Sequence, residues 1–359
     1  MTAAFPFKHI LITGGAGFVG SHLALAFRES FENLKISILD NLVRRGSELN
    51  LQVLLENDLE FYHGDIRCRE DFDKIPPFDL MIDCSAEPSV QAGLDGKPDH
   101  LIQNNLNGTL NCLEMAHRNN AAFIFLSTSR VYPITPLAHL PFNVKETRFA
   151  FADSNEVTGW SAQGISEDFT LQGARSFYGA SKLSGELMLQ EYAYTYNMKA
   201  IINRCGILAG SRQMGKVDQG VITLWMARHL YEKKLSYIGF GGEGKQVRDI
   251  LHPKDLFFLL LKQLEKVSDW NGQVYNVGGG NEISLSLREL TDYCQNITGK
   301  KVNISAVPET SPVDIPLYIS DSRKAQQEFQ WMPKYKNHDI LEEIYQWMSA
   351  HKDQLRAYF

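Results

Sequence analysis

Short apolar runs alternate with amphipathic stretches through the first third of the chain. His9–Thr13, Lys35–Leu39, Leu59–His63, Leu80–Cys84 and Ala122–Ser127 read as strands. Helical patterns from about Gly17 to Phe31 and near His100–Asn119 lie between them. This rhythm predicts an α/β fold with a parallel, doubly wound sheet. Pro133–Ser176 is irregular and polar, followed by a helix over Ser176–Tyr196 and a sixth strand at Lys199–Asn203. Gly206–Gly244 is glycine-rich and mixed, and marks the start of a smaller region. Gln273–Val277 reads as one more strand, before helices at Leu285–Thr298 and Ile340–His351. The expected division is a sheet domain of residues 1–204 with 245–277, and a smaller mixed α/β region of 205–244 with 278–359. There is no internal repeat and no low-complexity tract.

At 359 residues a chain buries roughly 75% of its unfolded surface and needs no staples. Hydrophobic residues at 44% and charged residues at 22% exclude disorder, collagen and coiled coil. A net charge of −6 without a long basic run argues against nucleic acid or an anionic membrane as partner. No apolar run reaches the ~18 residues of a membrane span, and Met1–Ile10 does not read as a signal peptide. Cys68, Cys84, Cys112, Cys205 and Cys294 are scattered, without metal or disulfide spacing. A reduced, cytoplasmic protein without a metal site is expected.

Thr13 to Gly20 carries glycines at 14, 17 and 20 between a predicted strand and a predicted helix. Such a turn needs positive φ and no Cβ where a pyrophosphate approaches the backbone. The helix then offers free N–H groups and a positive dipole end to the phosphates. Asp40 ends the next strand, at the spacing expected of a ribose-binding acid. It would accept from ribose hydroxyls and repel a 2′-phosphate, which favours NAD over NADP. Arg44 and Arg45 act against that choice, since arginines can hold the phosphate of NADP. Alternatively they form a solvated basic loop. The expected dinucleotide contacts are Gly14, Gly17, Phe18, Val19, Asp40, Asn41, Asp65, Ile66, Ser85 and Ala86. Asp65 could take the adenine amino group or merely cap its turn.

Tyr178 and Lys182 lie four apart in a predicted helix and so share a face. A nearby ammonium stabilises phenolate and draws the tyrosine pKa down from ~10. That yields a base able to take a hydroxyl proton. The bland reading is a surface pair on any helix. Ser127, Thr128 and Ser129 add hydroxyls at the end of the fifth strand, or form a turn or helix cap.

In this order, the glycine turn, Asp40, Thr128 before Val131-Tyr132, and Tyr178 with Lys182 resemble an extended short-chain dehydrogenase/reductase over nearly the whole chain. The resemblance implies that Tyr178 is the acid/base, that Lys182 holds the nicotinamide ribose, and that Thr128 polarises the substrate oxygen. It also adds Asn105 and Ser127 to the cofactor site, and implies a homodimer or homotetramer. In the dimer the helices carrying Asn105 and Tyr178 pair in a four-helix bundle, with Leu183, Leu187 and Tyr194 on a compatible face.

Family members that dehydrate sugars place Asp-Glu after the catalytic hydroxyl, and decarboxylases place a Glu nearby. Here Ser129-Arg130 follows, and arginine cannot shuttle protons at neutral pH. Epimerisation of a nucleotide-diphosphate sugar needs only the core set. The segments 40–47, 217–220 and 244–249 resemble those of CDP-paratose 2-epimerases, also called CDP-tyvelose 2-epimerases. Oxidation and re-reduction at C2 of a CDP-sugar is therefore the expected reaction. A UDP- or GDP-sugar 4-epimerase, a net dehydrogenase and a non-catalytic NAD-sensing protein are the alternatives.

Glu87, Thr128, Arg130, Gln219 and Arg248 are the expected substrate contacts. Arg248 suits a diphosphate or pairs with Asp249 or Asp255. Gln219 suits a sugar hydroxyl or a cytosine edge, or is plain surface. The chain departs from the family pattern at Ile207, where an Asn is usual, at Pro133 in place of Gly, and at Cys84–Glu87. The stretch Asn155–Gln172 carries no readable motif.

Overall fold

The computed structural model describes residues 5–152, 157–216 and 219–359. Asn155 and Glu156 of the inserted stretch, and Val217 and Asp218, lie outside the described residues.

Seven parallel strands form one sheet. Their spatial order is Gln273–Val277, Ala200–Cys205, Ala122–Thr128, Leu80–Asp83, His9–Thr13, Lys35–Asp40, Glu60–His63. This is the Rossmann order, with helices on both faces. Burial on both sides explains the continuous apolar runs. Ile10, Ile12, Ile36, Ile38 and Ile82 pack one face. Leu11, Leu39, Met81 and Phe123 pack the other. The order reverses between His9–Thr13 and Leu80–Asp83, where ligands bind such sheets.

A second sheet centres on Val247–Leu251, which pairs with Ile207–Leu208, Ser284–Ser286 and Leu317–Tyr318. Within the segment 245–277 expected in the first domain, this strand thus bonds to the smaller region, whereas Pro253–Leu264 packs on the first helix through Phe257 and Phe27. Helices Val221–Leu230, Leu287–Thr298 and Asn337–Ala350 close a separate core around Trp225, Leu290 and Ile344.

Three expectations change. The stretch 133–176 is not merely irregular. It holds two small antiparallel pairs, Phe142–Val144 with Phe149–Phe151 and Trp160–Ser161 with Gly164–Ile165, and it buries Trp160, Ile165 and Phe169. Strands of two or three residues carry no periodicity to read. The helix expected from Leu285 starts at Leu287, because Ser286 caps it reciprocally with Glu289. The helix expected over His100–Asn119 changes to a π-turn at Gln103–Asn107 and resumes at Gly108.

Candidate active site

Gly14 follows the first strand with φ 62°, and a Cβ there would lie 2.9 Å from the Cys84 carbonyl oxygen. A Cβ on Gly20 would lie 2.5 Å from the Gly14 oxygen, so the chain's own packing demands both glycines. Gly17 differs. A Cβ on it would meet only the Gly14 carbonyl, and otherwise faces open space. The helix Phe18–Ser30 that follows has no capping side chain and no acid in its first turn. Its leading N–H groups thus remain for a ligand.

The groove over this turn is lined by Gly14, Gly17, Phe18, Val19, Asp40 and Asn41, and continues past Ile66, Ser85 and Ala86. Asp40 accepts the Ala16 amide at 3.0 Å and the Leu42 amide at 2.8 Å, and burial raises its pKa. The groove fits a dinucleotide, with its backbone cradle, uncapped helix and strand-end acid. Arg44 donates to the Met214 carbonyl and to Gln219, and Arg45 to the Ala357 carbonyl. Both contacts tie chain segments together, while Arg45 itself is exposed. Arg212, with φ 61°, brings a further guanidinium to the groove that sequence reasoning missed.

Asp65 does not line the groove as expected. Its carboxylate takes Arg67 at 2.6 Å and Asn41 at 2.9 Å, and the Arg67 contact holds its pKa well below the usual carboxylate range. Only its neighbours Gly64 and Ile66 face the groove.

Tyr178 and Thr128 line one cavity of about 620 Å³ that shares Phe18, Val19 and Ala86 with the groove. Ser176 caps the helix Phe177–Tyr196 by accepting the Gly179 amide. A Cβ on Gly179 would lie 2.1 Å from the Arg130 carbonyl oxygen. The absent side chain is what lets the start of this helix reach the turn after Thr128. Burial pushes the Tyr178 phenol up to about 12, against the expected downward draw, and the Thr128 hydroxyl offsets only part of this.

Lys182 is not among the groups that offset this. It is 1% exposed, with its ammonium 3.9 Å from the centre of the Phe125 ring. It makes no hydrogen bond or ion pair among the described residues, and burial lowers its pKa. The cation rests against an aromatic face, with its donors uncommitted. Lys182 lines neither the groove nor the cavity, so its expected contact with a nicotinamide ribose is not seen in the wall of either.

Two expected cofactor contacts are engaged within the fold, although Ser127 also lines the cavity. The Ser127 hydroxyl donates to Glu186 at 2.5 Å. Asn105 accepts the Glu87 amide at 2.7 Å and donates to the Glu87 carbonyl at 3.0 Å and to Ser181 at 3.3 Å. It clamps the loop after the fourth strand to the Tyr178 helix. Glu87, expected at the substrate, is not itself in the cavity wall, but its neighbours Ala86 and Pro88 are, and its charge adds to the rise of the Tyr178 pKa. Asp83, which sequence reasoning also missed, is fully buried and accepts from Thr13 and Thr109.

At the cavity wall Arg248 donates to Asp314 at 2.7 Å and to the Ile315 carbonyl at 2.6 Å. Burial lowers its pKa to about 10. Arg130 stands 3.8 Å from the same carboxylate. The partner of Arg248 is thus Asp314, neither Asp249 nor Asp255, because the turn before Leu317 brings position 314 back to the strand. Gln219 lines the cavity, with its Oε1 accepting from Arg44.

The sequence profile of the NAD dependent epimerase/dehydratase family matches residues 10–278. The chain is 32% identical to the CDP-paratose 2-epimerase of Salmonella typhi over 95% of this chain and 99% of that protein. It is 28% identical to the UDP-glucose 4-epimerase of Bacillus subtilis over 95% of this chain and 97% of that protein. The solved UDP-glucuronic acid 4-epimerase from Bacillus cereus, in complex with UDP-glucuronic acid and NAD, is 25% identical. It superposes with a TM-score of 0.76 over 95% of this chain and 99% of that one.

Proposed function

The chain belongs to the NAD dependent epimerase/dehydratase family, and on that premise we propose that it inverts C2 of the sugar in a CDP-linked sugar nucleotide. NAD is the cofactor, and when bound it supplies the reversible acceptor and donor of hydride.

The observation that carries the reading is the chemistry of the cavity lining. Tyr178 and Thr128 share it with Arg130 and Arg248, and its only carboxylate among the described residues is Asp314, tied to Arg248. Dehydration needs a second acid/base pair at the sugar. The Cys205 thiol in the same wall is turned to its own strand and donates to the Asn203 carbonyl at 3.7 Å. A single phenol suffices for epimerisation. Tyr178 takes the C2 hydroxyl proton as the carbon is oxidised, and returns it after the keto sugar has presented its other face. Thr128 donates to the same oxygen and orients it. Lys182 holds the nicotinamide ribose and stabilises phenolate while the proton is away. Arg248 and Arg130 hold the diphosphate, so the sugar turns about a fixed anchor.

The similarity to the Salmonella typhi enzyme over nearly the full length of both chains supports C2 and cytidine. Relatives that act on UDP-sugars at C4 supply the rival. Incubation with CDP- and UDP-linked sugars, with NMR of the recovered sugar, decides between them. Inversion at C2 of a CDP-sugar is expected, and inversion at C4 with C2 intact overturns the reading.

We also propose that the protein is a homodimer paired through the helix Phe177–Tyr196. Leu187 is 55% exposed there and Tyr194 89%, and the two share one face about two turns apart. Leu183, expected on the same face, packs partly against the Tyr132 cluster instead.

A further inference from the structure

Gln246 immediately precedes the strand Val247–Leu251. Val247 is fully buried against Phe149 and Leu317, while Gln246 and Arg248 on either side of it both line the substrate cavity. In extended chain these alternate positions share a face and stand roughly 7 Å apart. That separation is about the reach from a diphosphate across a ribose to its base.

Gln246 is 8% exposed. Its Nε2 donates to the Ile238 carbonyl at 2.9 Å. Its Oε1 is buried and has no hydrogen-bond partner among the described residues. The orientation is not interchangeable, because a flipped amide would set oxygen against the Ile238 oxygen. A buried acceptor left unpaired is costly, and a donor from a ligand in the cavity would relieve it. The neighbouring wall is the strand Leu235–Ile238, whose Leu235 and Ile238 offer apolar surface to a flat ring.

We propose that Gln246 reads the nucleobase, its Oε1 accepting a hydrogen bond from the exocyclic amino group of cytosine. The inference rests on the cytidine nucleotide proposed above. Uracil carries a carbonyl at the same ring position and would meet Oε1 with a second acceptor. The residue is thus a specificity device that rejects the wrong base through an unpaired buried group. Gln219, the glutamine expected to hold a cytosine edge, has its oxygen engaged by Arg44.

The test is calorimetric titration of CDP and UDP into the NAD-loaded wild type and into Gln246→Leu. The wild type is expected to prefer CDP. The variant should bind CDP on the order of tenfold more weakly and UDP within about twofold of wild type. A second arm uses the wild type alone with the diphosphate of 2-pyrimidinone riboside, which is cytidine without its amino group. Its affinity should fall by the same factor relative to CDP.

A wild type without preference for CDP overturns the cytidine reading and this inference with it. A wild type that prefers CDP while the variant keeps that preference overturns the inference alone. Equal losses for CDP and UDP place the contact on the ribose and also overturn it. Should Gln246→Leu lose its fold, the pyrimidinone arm still decides: unchanged affinity rejects the amino-group contact.

Discussion

Glu186 and Arg204 form an ion pair at 2.7 Å in which the side chains are 2% and 5% exposed. Glu186 stands one helical turn beyond Lys182, and the same pair engages Ser127 and Tyr132, so it braces the helix of Tyr178 against the sheet. Removing one member of a buried pair strands the other charge. Glu186→Ala should therefore destabilise by about 3–5 kcal/mol. Urea unfolding measures this, and a loss below about 1 kcal/mol would show that the pair does not brace the site.

Tyr178→Phe should lower kcat/KM by about 10²- to 10⁴-fold, with NAD content of the purified protein unchanged. The phenol pKa of about 12 in the free chain means that base is scarce at neutral pH, so kcat/KM should rise with pH. Lys182→Met removes the cation that favours phenolate and should move the bend of that profile to higher pH. A profile unmoved by this substitution argues against an electrostatic role for the lysine.

Asp249 is 1% exposed, and burial raises its pKa to about 6. The folded state thus prefers the protonated acid. The stability it contributes is fully present below the unfolded value near 4, and is lost as pH rises through about 6. Asp249→Asn should raise stability at pH 8 by up to roughly 3 kcal/mol, with the gain vanishing near pH 4. Thermal melts across that range read the sign, and a gain that persists undiminished at pH 4 contradicts it.

Asp40 faces the dinucleotide groove, with burial raising its pKa. NADP should bind at least about tenfold more weakly than NAD, since a 2′-phosphate meets this carboxylate. Asp40→Ser should narrow the gap. Fluorescence titration with both dinucleotides provides the check, and equal affinities in the wild type speak against the acid as the selector.

Leu187→Glu places a charge on the exposed face of the Tyr178 helix. Light scattering should find a dimer for the wild type and a monomer for this variant. A monomeric wild type ends the proposal of pairing through that helix.

Much of the architecture was legible in the sequence because it rests on local periodicity. Buried parallel strands read as apolar runs, the glycine turn and Asp40 keep a spacing set by one strand-helix-strand unit, and Tyr178 with Lys182 share a face by helical pitch. The short pairs between 142 and 165 escaped, since a strand of two residues leaves no pattern.

What the sequence alone determined is thus which residue types stand where the chain must turn, bind phosphate or move a proton. Only the tertiary structure decided how each is partnered. It gave Arg248 to Asp314, Ser127 to Glu186 and Asp65 to Arg67, set the Lys182 ammonium on the Phe125 ring, and left the Gln246 oxygen without a hydrogen-bond partner among the described residues. The physical reason is that a side chain's charge and hydrogen-bonding capacity are local properties. The group that satisfies them is brought near by packing of elements distant along the chain, and whatever packing leaves unsatisfied is what a ligand can use.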